Sequence, residues 1–81
     1  MNENGQAVVN NNPMIHVRYE GQSWDFPLNE LDVGDQSTDQ QVREAVALRL
    51  NAPAAKLRNF AIDRNRATGE MTLRPEAVFG Q

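Results

Sequence analysis

Residues 37–53 read STDQQVREAVALRLNAP, and this stretch has the features of a single amphipathic helix. Thr38 followed by Gln41 fits a capping box, in which each residue satisfies a backbone N–H of the other. Asp39 places a negative charge near the helix N-terminus, where the helix dipole favours it. Asn51, followed closely by a proline, is typical of a helix end. The stretch therefore predicts one helix of about three turns.

The predicted helix carries its apolar residues at helical spacing. The expected apolar face consists of Val42, Ala45, Val46 and Leu50, widened by Leu48. The expected opposite side consists of Arg43, Glu44 and Ala47. Arg49 falls inside the apolar face, and near the last turn its long stem can carry the charge out to solvent. We expect this face to cover a β-sheet.

Two alternating runs before the helix predict a β-hairpin. Their apolar residues are Ile15, Val17 and Tyr19 in the first run and Trp24, Phe26 and Leu28 in the second. Between the runs, the sequence EGQS supplies a turn in which Gly21 is free to adopt positive φ. Pro27 cannot donate a ladder hydrogen bond, so its side of the second strand should lie at a sheet edge or at the strand's end.

The chain after the helix predicts a second hairpin. Phe60 and Ile62 alternate with polar or small residues, as do Met71 and Leu73. The polar sequence RNRATGE separates the two runs, and Pro75 marks the end of the last regular strand. We expect Phe60, Ile62 and Leu73 to pack against the helix, together with Ile15, Val17 and Phe26 of the first hairpin.

The element order limits the architecture. One helix can cover one face of one sheet, which gives a two-layer α+β domain. If both hairpins join a mixed sheet, the first and last strands lie parallel at its centre, and the right-handed crossover rule places the helix. The predicted fold is a β-grasp, a mixed sheet packed on one helix. Residues 1–13 are predicted to be a flexible N-terminal arm, residues 14–76 the β-grasp domain and residues 77–81 a C-terminal tail.

Composition excludes several classes of protein. The chain has 81 residues, no cysteine and a formal net charge of −3. Disulfides and zinc–thiolate sites are therefore excluded, and a general nucleic-acid binder would need a basic face. No apolar run approaches the length of a membrane span, and the start lacks the regions of a signal peptide. We expect a cytoplasmic protein that binds neither nucleic acid nor membrane.

No pattern in the sequence indicates an enzyme. There is no catalytic triad with a plausible scaffold, no phosphate-binding glycine loop and no metal cluster. His16 has no companion histidine or cysteine, so we expect a surface histidine rather than a metal ligand. The second hairpin carries or flanks several arginines, expected to form a solvated face: Arg58, Arg64, Arg66 and Arg74. We predict no catalytic residue, metal or cofactor, and a protein that acts by being bound.

The chain resembles the ubiquitin-like family over about residues 14 to 80. The features that carry the resemblance are the strand MIHVRYEG, the glycine-turn hairpin, the capped helix STDQQVREAVALRL and the final MTLRPEAVFG. Bacterial ubiquitin-like modifiers and the sulfur carriers of cofactor synthesis are similar at this level. The resemblance implies that the C-terminal residues are read by an activating enzyme.

In this family, the carboxylate of a terminal glycine is adenylated and then transferred to a cysteine thiol. The resemblance assigns that role to Gly80, which can thread a narrow channel because it has no side chain. The family typically exposes two glycines, whereas here Phe79 precedes Gly80 and Gln81 follows it. The implied partners are adenylating (E1-like) and conjugating (E2-like) enzymes, a trimming peptidase that removes Gln81, and target proteins.

Other interpretations of the tail remain open at this stage. The sequence AVFG can pack on the domain's own sheet, and the chain can be a non-conjugated β-grasp adaptor or accessory subunit that binds partners through its sheet face or an edge strand. Sulfur carriage is a third interpretation, weakened by the absent glycine pair. If the chain is a modifier, Lys56 is the one lysine through which polymers can grow, because every other basic side chain apart from His16 is arginine.

Overall fold

The computed structural model describes residues 12–76, and these form four β-strands and one α-helix. The strands are β1 (Met14–Tyr19), β2 (Gln22–Pro27), β3 (Ala61–Arg64) and β4 (Met71–Arg74), and the helix is α1 (Asp39–Leu50). Two short 3-10 helices, Leu28–Leu31 and Ala54–Leu57, flank α1 on either side along the chain. The predicted order of hairpin, helix and hairpin is confirmed.

The four strands form one mixed sheet in the order β2-β1-β4-β3. The central strands β1 and β4 are parallel, with Ile15 opposite Met71 and Val17 opposite Leu73. The outer pairs, β1–β2 and β3–β4, are antiparallel. The predicted β-grasp, with first and last strands parallel at the centre of a sheet that packs on one helix, is confirmed.

A tight turn fixes the register of the first hairpin. The two turn residues are Glu20, with φ 52°, and Gly21, with φ 78°. Positive φ at both central residues is the geometry of a two-residue turn whose twist matches the flanking strands. Tyr19 therefore pairs directly with Gln22, so the turn is shorter than the sequence EGQS implied.

Strand β2 is an edge strand, and the orientation of its backbone explains why it tolerates Pro27. The N–H of Leu28 donates to the carbonyl of Pro13 at 2.9 Å, so it points toward the β1 side of the sheet. Because N–H groups alternate sides along a strand, the nitrogen of Pro27 points away from β1. The absence of an N–H at Pro27 therefore costs no hydrogen bond between β2 and β1, and the expected edge position is confirmed.

The predicted caps of α1 are present at both ends. The Thr38 hydroxyl accepts from the N–H of Gln41 at 3.1 Å, and the Gln41 side chain accepts from the N–H of Thr38 at 2.9 Å. At the other end, Asn51 adopts φ 57° and its N–H donates to the carbonyl of Leu48 at 3.1 Å. Both sets of bonds satisfy backbone groups that a helix end would otherwise leave unpaired.

The core lies between α1 and one face of the sheet. Its fully buried members are Ile15, Val17, Val42, Val46, Leu57, Met71 and Leu73. Three other expected core residues, Leu50, Phe60 and Ile62, are only partly buried against this cluster. Leu57, which the second 3-10 helix inserts into the core, was not predicted to be buried. A single apolar residue in an irregular segment produces no periodic pattern that would indicate burial.

The predicted apolar face of α1 is wrong at two positions. Leu48 is 83% exposed, whereas Ala47, expected on the opposite side, is 2% exposed. The buried face of α1 is therefore rotated, relative to the predicted apolar face, toward Arg43 and Ala47. The helix α1 also contacts the 3-10 helix Ala54–Leu57. The Arg43 side chain donates to the carbonyl of Phe60 at 2.9 Å.

The position of Arg49 inside the predicted apolar face also has a structural explanation. Its guanidinium carbon lies 4.7 Å from the centroid of the Phe26 ring. A cation at this distance is attracted by the negative face of the ring. Arg49 therefore packs over the sheet while its charge stays in water.

Candidate functional site

The predicted conjugation residues, Phe79, Gly80 and Gln81, lie outside the described residues. The structure therefore describes the end of β4 and the two residues after it, but not the conjugation residues themselves. Strand β4 ends at Arg74, and the exposed Pro75 and Glu76 carry the chain off the sheet. Because β1 and β4 are parallel and central, this exit point lies at the carboxyl end of the middle of the sheet.

An open groove of about 400 Å³ lies at this exit point, between the end of β4 and the β1–β2 turn. Its charged residues are two arginines, Arg18 and Arg74, and two glutamates, Glu20 and Glu76. The formal charges cancel, and the Arg74 Nε also donates to the carboxylate of Asp63 at 2.9 Å. The groove therefore offers a partner both hydrogen-bond donors and acceptors, and its net charge favours neither an acidic nor a basic ligand.

Lys56, the predicted acceptor for chain growth, is exposed on the second 3-10 helix. Its backbone N–H donates to the carbonyl of Pro53 at 2.9 Å, and the next residue, Leu57, is fully buried. The backbone at Lys56 is thus fixed while its side chain is presented to solvent. Among the described residues, its amine takes part in no ion pair. The geometry leaves this amine accessible to an enzyme-bound electrophile.

His16 lies on the face of the sheet opposite α1, which we call the open face. Its Nδ1 lies 2.6 Å from the carboxylate of Asp25, and its Nε2 lies 3.7 Å from that of Glu70. The hydrogen bond to Asp25 raises the pKa of His16 above 6.5, against a smaller opposing effect of burial. The His16 side chain is 44% exposed, as expected of a surface histidine. Residues 12–76 contain no group of three histidine, cysteine or acidic side chains placed so that it could hold a metal ion.

The His16–Asp25 pair was missed in the sequence although a signal for it exists. The two residues are directly opposite each other in the β1–β2 register. Counting outward from a two-residue turn at Glu20 and Gly21 places them face to face. The sequence EGQS does not by itself identify the two turn residues, so the cross-strand partners were not predicted.

Arg64 has a structural role that the sequence analysis did not predict. One guanidinium nitrogen donates to the carbonyl of Ser37 at 2.8 Å and to the carboxylate of Asp39 at 2.7 Å. The Arg64 side chain is only 19% exposed, so the expectation that it belongs to a solvated face is wrong. It ties β3 to the segment that begins α1, a contact between residues far apart in sequence.

Comparison of the chain with protein-family models, with curated proteins and with solved structures gives no significant match. No helix within residues 12–76 is long and apolar enough to cross a membrane. The class of protein that the described residues define is a small α+β protein with a β-grasp sheet.

Proposed function

We propose that the chain is a cytoplasmic, ubiquitin-like protein modifier, conjugated through Gly80 after a peptidase has removed Gln81. The observation that supports this most is the position of β4. It lies in the middle of the sheet, parallel to β1, and the exposed Pro75 and Glu76 lead from its end toward Gly80. A β-grasp domain whose last central strand leads into a glycine-containing segment has the layout of a ubiquitin-like modifier.

The proposed reaction takes place at the carboxylate of Gly80. An adenylating (E1-like) enzyme joins this carboxylate to the AMP portion of ATP, and pyrophosphate leaves. A cysteine thiolate then attacks the acyl carbon and displaces AMP, giving a thioester that passes to the cysteine of a conjugating (E2-like) enzyme. An amine of the target protein finally attacks the thioester, forms an amide bond, loses a proton to the enzyme and releases the thiol.

Phe79 sets a requirement for the partner enzymes. A channel fitted to two glycines would exclude an aromatic ring at the penultimate position. The activating enzyme of this chain must therefore have a wider passage there, lined by apolar groups that compensate for burying the ring. We expect an activating enzyme specific for this chain and not one shared with modifiers that end in Gly-Gly.

Mass spectrometry of the protein from its native host tests the proposal. We expect a form that lacks Gln81, and peptides in which Gly80 is joined to an amine of another protein. Gly80→Asp should abolish these adducts. Asn59→Asp is the matched control, since it adds the same charge at an exposed position and should leave the adducts unchanged. Both variants should keep the far-UV circular dichroism spectrum of the unmodified chain.

Lys56 provides a second test of the same proposal. If polymers grow through this amine, Lys56→Arg should limit them to one unit, because the guanidinium stays protonated and is a poor nucleophile. Recovery of only the untrimmed 81-residue chain beside active partner enzymes would contradict conjugation at Gly80. Polymers that persist in Lys56→Arg would instead indicate growth through the amino group of Met1.

The edge strand β2 favours one alternative function, a non-conjugated adaptor or accessory subunit. Since the N–H of Leu28 points toward β1, alternation directs the N–H groups of Ser23 and Asp25 away from it, toward the open edge. A partner strand can pair with such an edge. Gly80→Asp would leave this function intact, so a partner complex that survives the substitution in the absence of adducts would favour the adaptor.

A further inference from the structure

A cleft lies between the segment that precedes α1 and the β3–β4 hairpin. Its volume is about 370 Å³, within the range of ligand-binding pockets. Four apolar side chains line it: Pro13, Leu28, Val33 and Met71. They come from three parts of the chain, the residues before β1, the segment 28–33 and β4, and two of them, Leu28 and Met71, are core residues only 3% and 2% exposed. The apolar lining is therefore a product of the fold and not of one amphipathic element.

Hydrogen bonds fix both walls of this cleft. On one side, Arg64 donates to the carbonyl of Ser37, which precedes α1, and to the carboxylate of Asp39, the first residue of α1. On the other, the Asn65 side chain accepts from the N–H of Ala67 at 3.0 Å, and the Asn65 carbonyl accepts from the N–H of Gly69 at 2.7 Å. A cleft with fixed walls loses little conformational entropy when a ligand enters.

The residues that line the cleft include more cationic than anionic side chains, although the chain as a whole is acidic. The chain has a formal net charge of −3, yet the charged residues at the cleft are two arginines, Arg64 and Arg66, and one acid, Asp35. Arg64 is paired with Asp39. Arg66 is exposed and forms no ion pair with any residue of the range 12–76. Within residues 12–76, Arg66 is thus a cation without an ion pair beside the apolar lining, and Asp35 is likewise in none of these ion pairs.

We propose that this cleft binds an acidic segment of a partner protein. One aliphatic side chain of that segment rests on the apolar lining, and a neighbouring carboxylate pairs with the guanidinium of Arg66. The two features select the ligand together, because a free inorganic anion would leave the apolar lining wet and an uncharged apolar group would leave Arg66 unused. A peptide segment with acidic residues beside an aliphatic one supplies both.

The proposed binding in the cleft does not depend on the proposed conjugation at Gly80. Pro13 precedes β1 and Met71 begins β4, so the cleft lies at the amino ends of the two parallel central strands. Pro75 and Glu76 leave the sheet at the carboxyl ends of the same strands. A partner bound in the cleft leaves the chain's exit point uncovered, and binding here requires neither Gly80 nor the removal of Gln81.

Titration of the full 81-residue chain with synthetic heptapeptides tests the proposal. The probe has a central isoleucine flanked by aspartates and glutamates. One control peptide replaces its acids with lysines, and the other replaces isoleucine with serine. In ¹⁵N-labelled protein we expect saturable shifts of the amide signals of Val33, Asn65 and Arg66. The affinity for the probe should exceed that for either control at least tenfold, and it should fall as salt rises because the ion pair is exposed.

Two matched charge reversals separate a local effect from one of net charge. Arg66→Glu should weaken binding of the acidic probe at least tenfold. Arg58→Glu changes the net charge equally at an exposed position outside the cleft and should alter the affinity less than twofold. Asp35→Asn removes the one acid at the cleft and should strengthen binding. Equal affinity for the acidic and lysine peptides, equal effects of the two reversals, or no saturable shift at millimolar probe would overturn the proposal.

The chain's own N-terminal residues are the competing occupant, and the same spectra distinguish it. A full-length variant with Val8→Ser and Val9→Ser should leave the amide signals of Val33 and Arg66 unchanged in the absence of peptide. If these signals move, and the acidic probe binds no better than its lysine control, the cleft holds residues of its own chain and the proposal of an acidic partner segment is wrong.

Discussion

Leu57 and Leu48 allow one substitution to be compared in two environments. The Leu57 side chain is fully buried in the core, whereas Leu48 on α1 is 83% exposed. Deleting the buried side chain removes its transfer free energy and leaves a cavity, which together cost about 2–5 kcal/mol. Leu57 belongs to the buried core cluster, and its 3-10 helix contacts α1, so the cavity should collapse only in part. We therefore expect Leu57→Ala to lower the free energy of unfolding by about 3 kcal/mol.

The same change at Leu48 should have almost no effect. Alanine and leucine have similar helix propensities, and the exposed side chain loses little contact with the core. We expect Leu48→Ala to change the free energy of unfolding by less than about 0.5 kcal/mol. In a domain of this size, the predicted difference between the two variants corresponds to about 12–24 °C in Tm.

Urea unfolding followed by circular dichroism measures both variants. The slope of free energy against urea should stay constant, so that the midpoint alone reports the change in stability. A comparable loss in the two variants, or a greater loss for Leu48→Ala, would refute the orientation assigned to α1 and the insertion of the second 3-10 helix into the core.

Three further predictions concern contacts at the surface. Thr38→Ala removes one half of the capping box and should cost about 1 kcal/mol in urea unfolding. Arg64→Met removes the hydrogen bonds that tie β3 to the start of α1 and should cost about 1–3 kcal/mol, whereas Arg58→Met, at an exposed position, should leave the midpoint unchanged. The pKa of His16 is raised, so the stability contributed by its protonated form is present below about pH 6.5 and is lost as pH rises through the folded-state pKa. Asp25→Asn should lower that pKa in an NMR titration of the imidazole, and the stability difference between this variant and the original chain should be larger at pH 6 than at pH 8.5.

Features determined by neighbouring residues were predictable from the sequence. The capping box depends on Thr38 and Gln41, three residues apart, and the C-cap on Asn51 alone. The alternation of Ile15 and Val17 with polar residues identified β1, because a repeat of two residues matches the alternating side chains of a β-strand and not the repeat of an α-helix. The element order then restricted the topology to a sheet with parallel central strands.

Features determined by distant residues were not predictable in the same way. The rotation of α1 that buries Ala47 and exposes Leu48 depends on where the second 3-10 helix packs. The pattern of apolar residues within α1 contains no information about that position. The Arg64–Asp39 contact spans 25 residues, and an arginine in a polar run shows no sign of it. The apolar cleft was missed for the same reason, since Pro13, Leu28 and Met71 each belong to a different segment.

The parallel pairing of β1 with β4 has a consequence for how the protein folds during synthesis. Ile15 and Met71 are neighbours in the sheet but 56 residues apart in sequence. The first hairpin and α1 can form soon after they leave the ribosome, yet one side of β1 stays an open edge until β4 emerges. Contacts of such long range slow folding, and an unpaired edge invites association with other chains. A product truncated before Met71 would therefore keep one side of its central strand unpaired and open to association with other chains.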